Sequence, residues 1–127
     1  MRALSRRAHA LGLSAILALV VTASITAYLA KIPRFFQHIP HYDKVCHFAG
    51  YGLLALFLDG VLSFRATRRV PWAGAIVLVV AGLEELAQGL SPVRECSVWD
   101  FVANACGVIA MLGVARLVDR RAAARVV

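Results

Sequence analysis

Four apolar stretches of near-equal length, separated by short polar connections, dominate this chain and restrict what it can fold into. They cover about residues 11–29, 45–64, 71–90 and 97–118. About 20 helical residues at ~1.5 Å each match a hydrocarbon core of ~30 Å. Lipid offers the backbone no hydrogen-bonding partner, so each stretch must satisfy its own amides and carbonyls as a helix. Composition points the same way. Hydrophobic residues make up 61% of the 127 positions and mean hydropathy is +0.74, whereas a soluble domain is about half apolar. No linker, repeat or low-complexity segment divides the chain. The expectation is an all-α fold, a single membrane domain over residues 1–127 built as a four-helix transmembrane bundle. Proline punctuation fits: Pro33 and Pro40 lie in the first connection, Pro71 opens the third helix, and Pro92 lies before the fourth.

Basic residues set the orientation. Arg2, Arg6 and Arg7 precede the first stretch, Arg65, Arg68 and Arg69 fill the second connection, and Arg116, Arg120, Arg121 and Arg125 mark the end of the last and the tail. The other side carries only Lys31, Arg34, Lys44 and Arg94. The positive-inside bias puts both termini and the second connection in the cytoplasm. Trp72 and Trp99 fall near membrane boundaries, as interfacial anchors do. The net charge of +7 therefore records topology rather than a nucleic-acid face, and no nucleic-acid partner is expected. A competing reading takes the first stretch as a signal peptide cleaved near Val21-Thr22-Ala23, but the apolar run continues to Leu29, long enough to remain as a span. Cys46 and Cys96 lie near outer helix ends, where an oxidising compartment would allow a disulfide. Free thiols are the simpler expectation, with Cys106 a small buried residue.

Polar groups inside the spans are where function is sought, because an ionisable side chain at the bilayer centre costs about 2.5–3.5 kcal/mol. They concentrate at the outer ends of three helices: Asp43, Lys44, His47 and Tyr51 on the second; Glu85 and Gln88, with Glu84 beside them, on the third; Ser97, Asp100 and Asn104 on the fourth, with Arg94 just before. Asp43, His47 and Tyr51 recur every four residues, Glu85 and Gln88 are three apart, and Asp100 and Asn104 are four apart, so each set shares a helix face. Antiparallel neighbours joined by short loops would bring these faces together. Helix capping by Asp43 and Ser97, and interhelical hydrogen bonds worth ~0.6–2 kcal/mol, account for individual members. A convergent set of carboxylates, an imidazole and cations favours a shared site. Asp59, toward the inner end, reads as a snorkelling or ion-paired acid outside that site. Ala103 and Gly107 should admit a close neighbouring helix.

The run Asp43-Lys44-x-x-His47-Phe48-x-x-Tyr51, followed by Glu85-x-x-Gln88-x-x-x-Pro92-x-Arg94-x-x-Ser97-x-x-Asp100-x-x-x-Asn104-x-x-Gly107, resembles the VanZ-like family of small bacterial membrane proteins. The resemblance covers about residues 43–113; the first helix is similar only in kind. It implies a multi-pass protein of the bacterial cytoplasmic membrane, acting in the cell envelope, with an effect on susceptibility to glycopeptides such as teicoplanin. Family likeness does not transfer a substrate. Glu84 adds an acid beside the pattern's Glu85, leaving open which one faces the site.

The polar cluster admits two accounts. In the first, an outer-leaflet pocket binds a lipid headgroup, a lipid-linked envelope precursor or an amphiphilic glycopeptide; Arg94 and Lys44 attract an anionic group while the carboxylates and amides orient them. In the second, a membrane-embedded enzyme acts on a lipid-linked substrate, with His47 and Glu85 or Asp100 as acid and base or as holders of a divalent metal. No HExxH, G-x-S-x-G or lipid-phosphatase pattern is present, so catalysis, a cofactor and a metal are not the leading expectation. Proton-coupled transport by so few helices would need an oligomer.

Overall fold

The computed structural model describes residues 5–31, 35, 38, 40–62, 72–92 and 96–124. The described residues form four helices and no strand: α1 (Arg6–Tyr28), α2 (Tyr42–Leu62), α3 (Trp72–Gln88) and α4 (Val98–Ala124). Three of them, α1, α2 and most of α4, are long and apolar enough to cross a membrane. At 17 residues, α3 is shorter than expected; at ~1.5 Å per residue it spans about 26 Å. In the other direction, α4 continues well past residue 118, through Arg120 and Arg121. Arg94, Pro33 and the basic connection at 63–70 lie outside the described residues.

Local chemistry explains the helix ends. Ser5 caps α1 by accepting from the Ala8 amide at 3.2 Å. The other end of α1 closes with Ala30 at φ 52°, where the Ala30 and Lys31 amides donate back to the Ala27 and Thr26 carbonyls. This left-handed closure satisfies carbonyls that would otherwise end the helix unpartnered. Ser97 caps α4 as expected, its hydroxyl accepting from the Asp100 amide at 3.3 Å. Asp43 is not the cap of α2. It lies inside the first turn, because the helix starts before it, yet its carboxylate still meets the positive end of the helix dipole.

The most extensive pairing joins α2 to α4; α1 packs on α2, and α3 packs on both α2 and α4. Contacts between α2 and α4 climb both helices together, from Lys44–Asp100 through His47–Asn104 to Gly52–Gly107. These helices therefore run parallel, whereas loop-joined antiparallel neighbours were expected to make the site. Glycine explains the difference. A Cβ on Gly107 would run into the Phe48 carbonyl, and one on Gly52 would lie 2.8 Å from the Gly107 oxygen. Backbones without Cβ atoms approach closely enough for dispersion along the whole contact. On the far side, α1 runs antiparallel to α2, with Gly12 against Phe57 and Gly60 against the His9 ring.

The core contains Ile16, Tyr51, Leu54, Ala55, Val77, Ala81, Val108 and Leu112. Polar side chains share it: His9, Asp59, Glu85, Gln88, Asp100 and Asn104 are all buried. Conversely, Leu11, Leu19, Val79, Leu83, Leu86 and Ile109 stay exposed. A polar interior under an apolar exterior reverses the water-soluble pattern. Asp59 is 2% exposed and so does not snorkel to the surface. Cys106 is exposed rather than buried, since the faces of Asn104, Gly107 and Val108 point inward and position 106 falls opposite them. All three cysteines are free thiols.

The glycine crossing yields a test. Gly107→Ala should destabilise the detergent-solubilised protein by about 1–3 kcal/mol through overpacking. Gly113, where an added Cβ meets nothing within 4 Å, should tolerate alanine without loss. Unfolding titrations of both variants measure the contrast.

Candidate functional site

The N-terminal ends of α2 and α4 and the C-terminal end of α3 enclose a connected polar cluster. The Lys44 ammonium donates to Asp43 Oδ2 and to Asp100 Oδ1, both at 2.9 Å. The second oxygen of Asp100 faces His47, with Nε2 at 3.9 Å. The other ring nitrogen of His47, Nδ1, lies 3.1 Å from Asn104 Oδ1; donation to that carbonyl leaves the lone pair on Nε2. Tyr51 stacks on the imidazole at 6.1 Å between centroids with the planes 7° apart. These contacts link residues two successive turns deep on both helices, as the four-residue spacing requires.

From α3, Glu85 enters the cluster. It is 4% exposed, and its Oε2 accepts from the Ser97 backbone amide at 3.2 Å. Its Oε1 is buried and has no hydrogen-bond partner among the described residues, and the same holds for Asn104 Nδ2. A carboxylate pinned by one oxygen and idle at the other is costly in a low-dielectric interior unless something else meets it. Donor atoms of His47, Glu85 and Asp100 all lie within 4.8 Å of one another.

Glu84 points elsewhere. Its Oε1 accepts from the Ser24 hydroxyl of α1 at 2.6 Å. The doubled acid thus splits its work: Glu85 faces the cluster and Glu84 ties α3 to α1. Beside this tie lies a cleft of about 470 Å³, with Ile16, Leu19, Val20 and Leu53 on its apolar walls and Asp43, His47, Glu84 and Gln88 at its polar part. Its volume falls in the ~300–1,000 Å³ range of ligand pockets.

Of the residues singled out from sequence, Asp43, Lys44, His47, Glu85, Ser97, Asp100 and Asn104 are linked by the contacts above. Tyr51 joins through its ring, Gln88 is buried and lines the cleft, and Arg94 lies outside the described residues. Lys44 is not the open anion receptor expected, because two carboxylates already hold its ammonium. Sequence reasoning missed Ser24 and the α1 wall of the cleft. Ser24 stands in a run of small and apolar residues that looks like any lipid-facing surface. His9 was missed too. It is buried at the opposite end of α1, with Nδ1 3.1 Å from the Ser5 carbonyl oxygen. The loop histidine His41 is exposed and outside the cluster.

Compared with known families, curated proteins and solved structures, the chain has no match.

The α1–α3 tie is measurable. A double-mutant cycle of Ser24→Ala and Glu84→Ala should give a coupling of about 0.6–1.7 kcal/mol. Substituting Glu85 in place of Glu84 should show no coupling to Ser24.

Proposed function

We propose that this chain is a VanZ-like multi-pass protein of the bacterial cytoplasmic membrane that holds an amphiphile at the outer leaflet. All four helices span, with both termini in the cytoplasm. Three candidate spans, an apolar exterior and the distribution of arginines support that arrangement. For α3, its 17 residues reach the lower end of the range for a span, and Ile76, Val79, Val80 and Leu83 give it an apolar outward face.

The observation that carries the proposal is the join between cleft and cluster. His47 and Asp43 belong to both, so one ligand can lay an apolar chain along α1 and α2 while its head meets carboxylates and imidazole. Among the described residues, Asp43, Glu85 and Asp100 outnumber Lys44. Amine or hydroxyl donors therefore suit this mouth better than a bare phosphate. Phosphatidylethanolamine, a lipid-linked envelope precursor and the lipidated glycopeptide teicoplanin all meet the requirement of an apolar tail with a donor-rich head.

The competing reading is a membrane-embedded enzyme acting on a lipid-linked envelope substrate. One observation favours it: His47 is oriented by Asn104 on one side and faces Asp100 on the other, as a general base requires. Turnover of such a substrate by purified protein would decide for it.

Topology, binding and phenotype each test the proposal. Alkaline phosphatase fused within residues 31–41 should be active, and fused within 63–70 inactive; the reverse pattern contradicts the topology. Protein released from nanodiscs should retain a phospholipid in native mass spectrometry, and Ala23→Trp, which fills the cleft, should lose it. In a susceptible bacterial host, expression should raise teicoplanin tolerance, with Asp100→Ala losing the effect at unchanged membrane levels. Parental behaviour of well-inserted variants would refute the pocket.

A further inference from the structure

We propose that His47, Glu85 and Asp100 form a binding site for a divalent first-row transition metal ion. Their donor atoms, one from each side chain, lie within 4.8 Å of one another. An ion bound at about 2.0–2.2 Å from nitrogen and oxygen would space tetrahedral ligands about 3.4 Å apart. Side-chain rotations that move each donor by roughly an ångström close the difference. The His47 Nε2 to Asp100 Oδ2 separation of 3.9 Å is too long for a hydrogen bond, and a shared ion gives both atoms a partner.

Each ligand is also held from behind. Asn104 Oδ1 takes the Nδ1 proton of His47 and so directs the Nε2 lone pair toward Asp100. Lys44 occupies Asp100 Oδ1, leaving Oδ2 toward the imidazole. The Ser97 amide occupies Glu85 Oε2, leaving Oε1 buried and without a hydrogen-bond partner among the described residues. Outer partners of this kind fix the tautomer and orientation of metal ligands. Because Glu85 is 4% and Asp100 5% exposed, this is not a solvated acidic patch. Among the described residues, Asp43, Glu85 and Asp100 against Lys44 leave an excess of negative charge that a divalent cation would neutralise.

The donor set chooses the class of ion. One imidazole with two carboxylates suits Zn²⁺ or Mn²⁺; an oxygen-only cage would suit Ca²⁺ or Mg²⁺, and thiolates would suit Cu(I). Three protein ligands leave a coordination position for water or a ligand head, as in open zinc sites. His47 is the ligand that also lines the cleft, so that position borders the amphiphile. The site stands on its own donors, and a failure of lipid binding would leave it intact.

The full chain, reconstituted in nanodiscs and stripped with chelator, is dialysed against Zn²⁺ and against Co²⁺. Bound metal is counted by mass spectrometry, and Co²⁺ is followed by its visible d–d bands. One ion per chain is expected. Glu85→Gln and His47→Gln should weaken binding at least ~100-fold, and Asn104→Ala by ~10–100-fold. His38→Ala and His41→Ala should leave it unchanged. No stoichiometric uptake by the parent, equal uptake by folded Glu85→Gln, or loss on changing the loop histidines would each overturn the site. If Glu85→Gln does not fold, the His47→Gln variant and the Co²⁺ spectrum of the parent decide the same question.

Discussion

The contact of two bare backbones, α2 against α4 at Gly52 and Gly107, sets the register of everything above it. The Phe48 carbonyl oxygen occupies the space a Gly107 side chain would need. With that level fixed, helix geometry puts His47 opposite Asn104 and Lys44 opposite Asp100 within the next two turns. A bulkier residue at either glycine would separate the helices and part those side chains together. The packing defect and the loss of the site would have one cause.

The polar cluster is stable only as a unit. The carboxylates of Glu85 and Asp100 are buried, where transfer from water is costly, and the members of the cluster are held by specific neighbours. Lys44 bridges two carboxylates, Ser97 donates to Glu85, and Asn104 orients His47. Removing one partner exposes another, so single substitutions here should not be additive. Among the described residues Glu85 Oε1 and Asn104 Nδ2 are exceptions to this closure, and the idle carboxylate oxygen is the observation on which the proposal of a ligand site rests. The cleft along α1 supplies the apolar half of the same arrangement, with Glu84 and Ser24 holding its far wall.

Much of this was legible in the sequence, because it follows from one-dimensional periodicity. Long apolar runs fix helices, and four-residue spacing puts Asp43, His47 and Tyr51 on one face. Likewise Gly107 announced a close approach. What could not be read was which helix would use that approach. Parallel pairing of α2 with α4 depends on Gly52 meeting Gly107 in three dimensions, and neither glycine names its partner. The split between Glu84 and Glu85 was hidden for the same reason: adjacent residues differ by about 100° around a helix, but the sequence does not say which neighbour lies at which angle. Lys44 looked like an anion receptor because its two carboxylate partners come one from its own neighbour and one from α4. The cleft was invisible because Leu19, Val20 and Ala23 resemble any residues that face lipid.

Fold and site alike require α2 and α4 to present His47 and Asn104 to each other. Replace both by cysteine in a chain with Cys46, Cys96 and Cys106 changed to alanine, and treat native membranes with a mercuric ion. One mercury per chain should bridge the two thiols and resist a monothiol wash, read by intact mass. Mercury that washes off the double variant as readily as off each single variant would contradict the pairing.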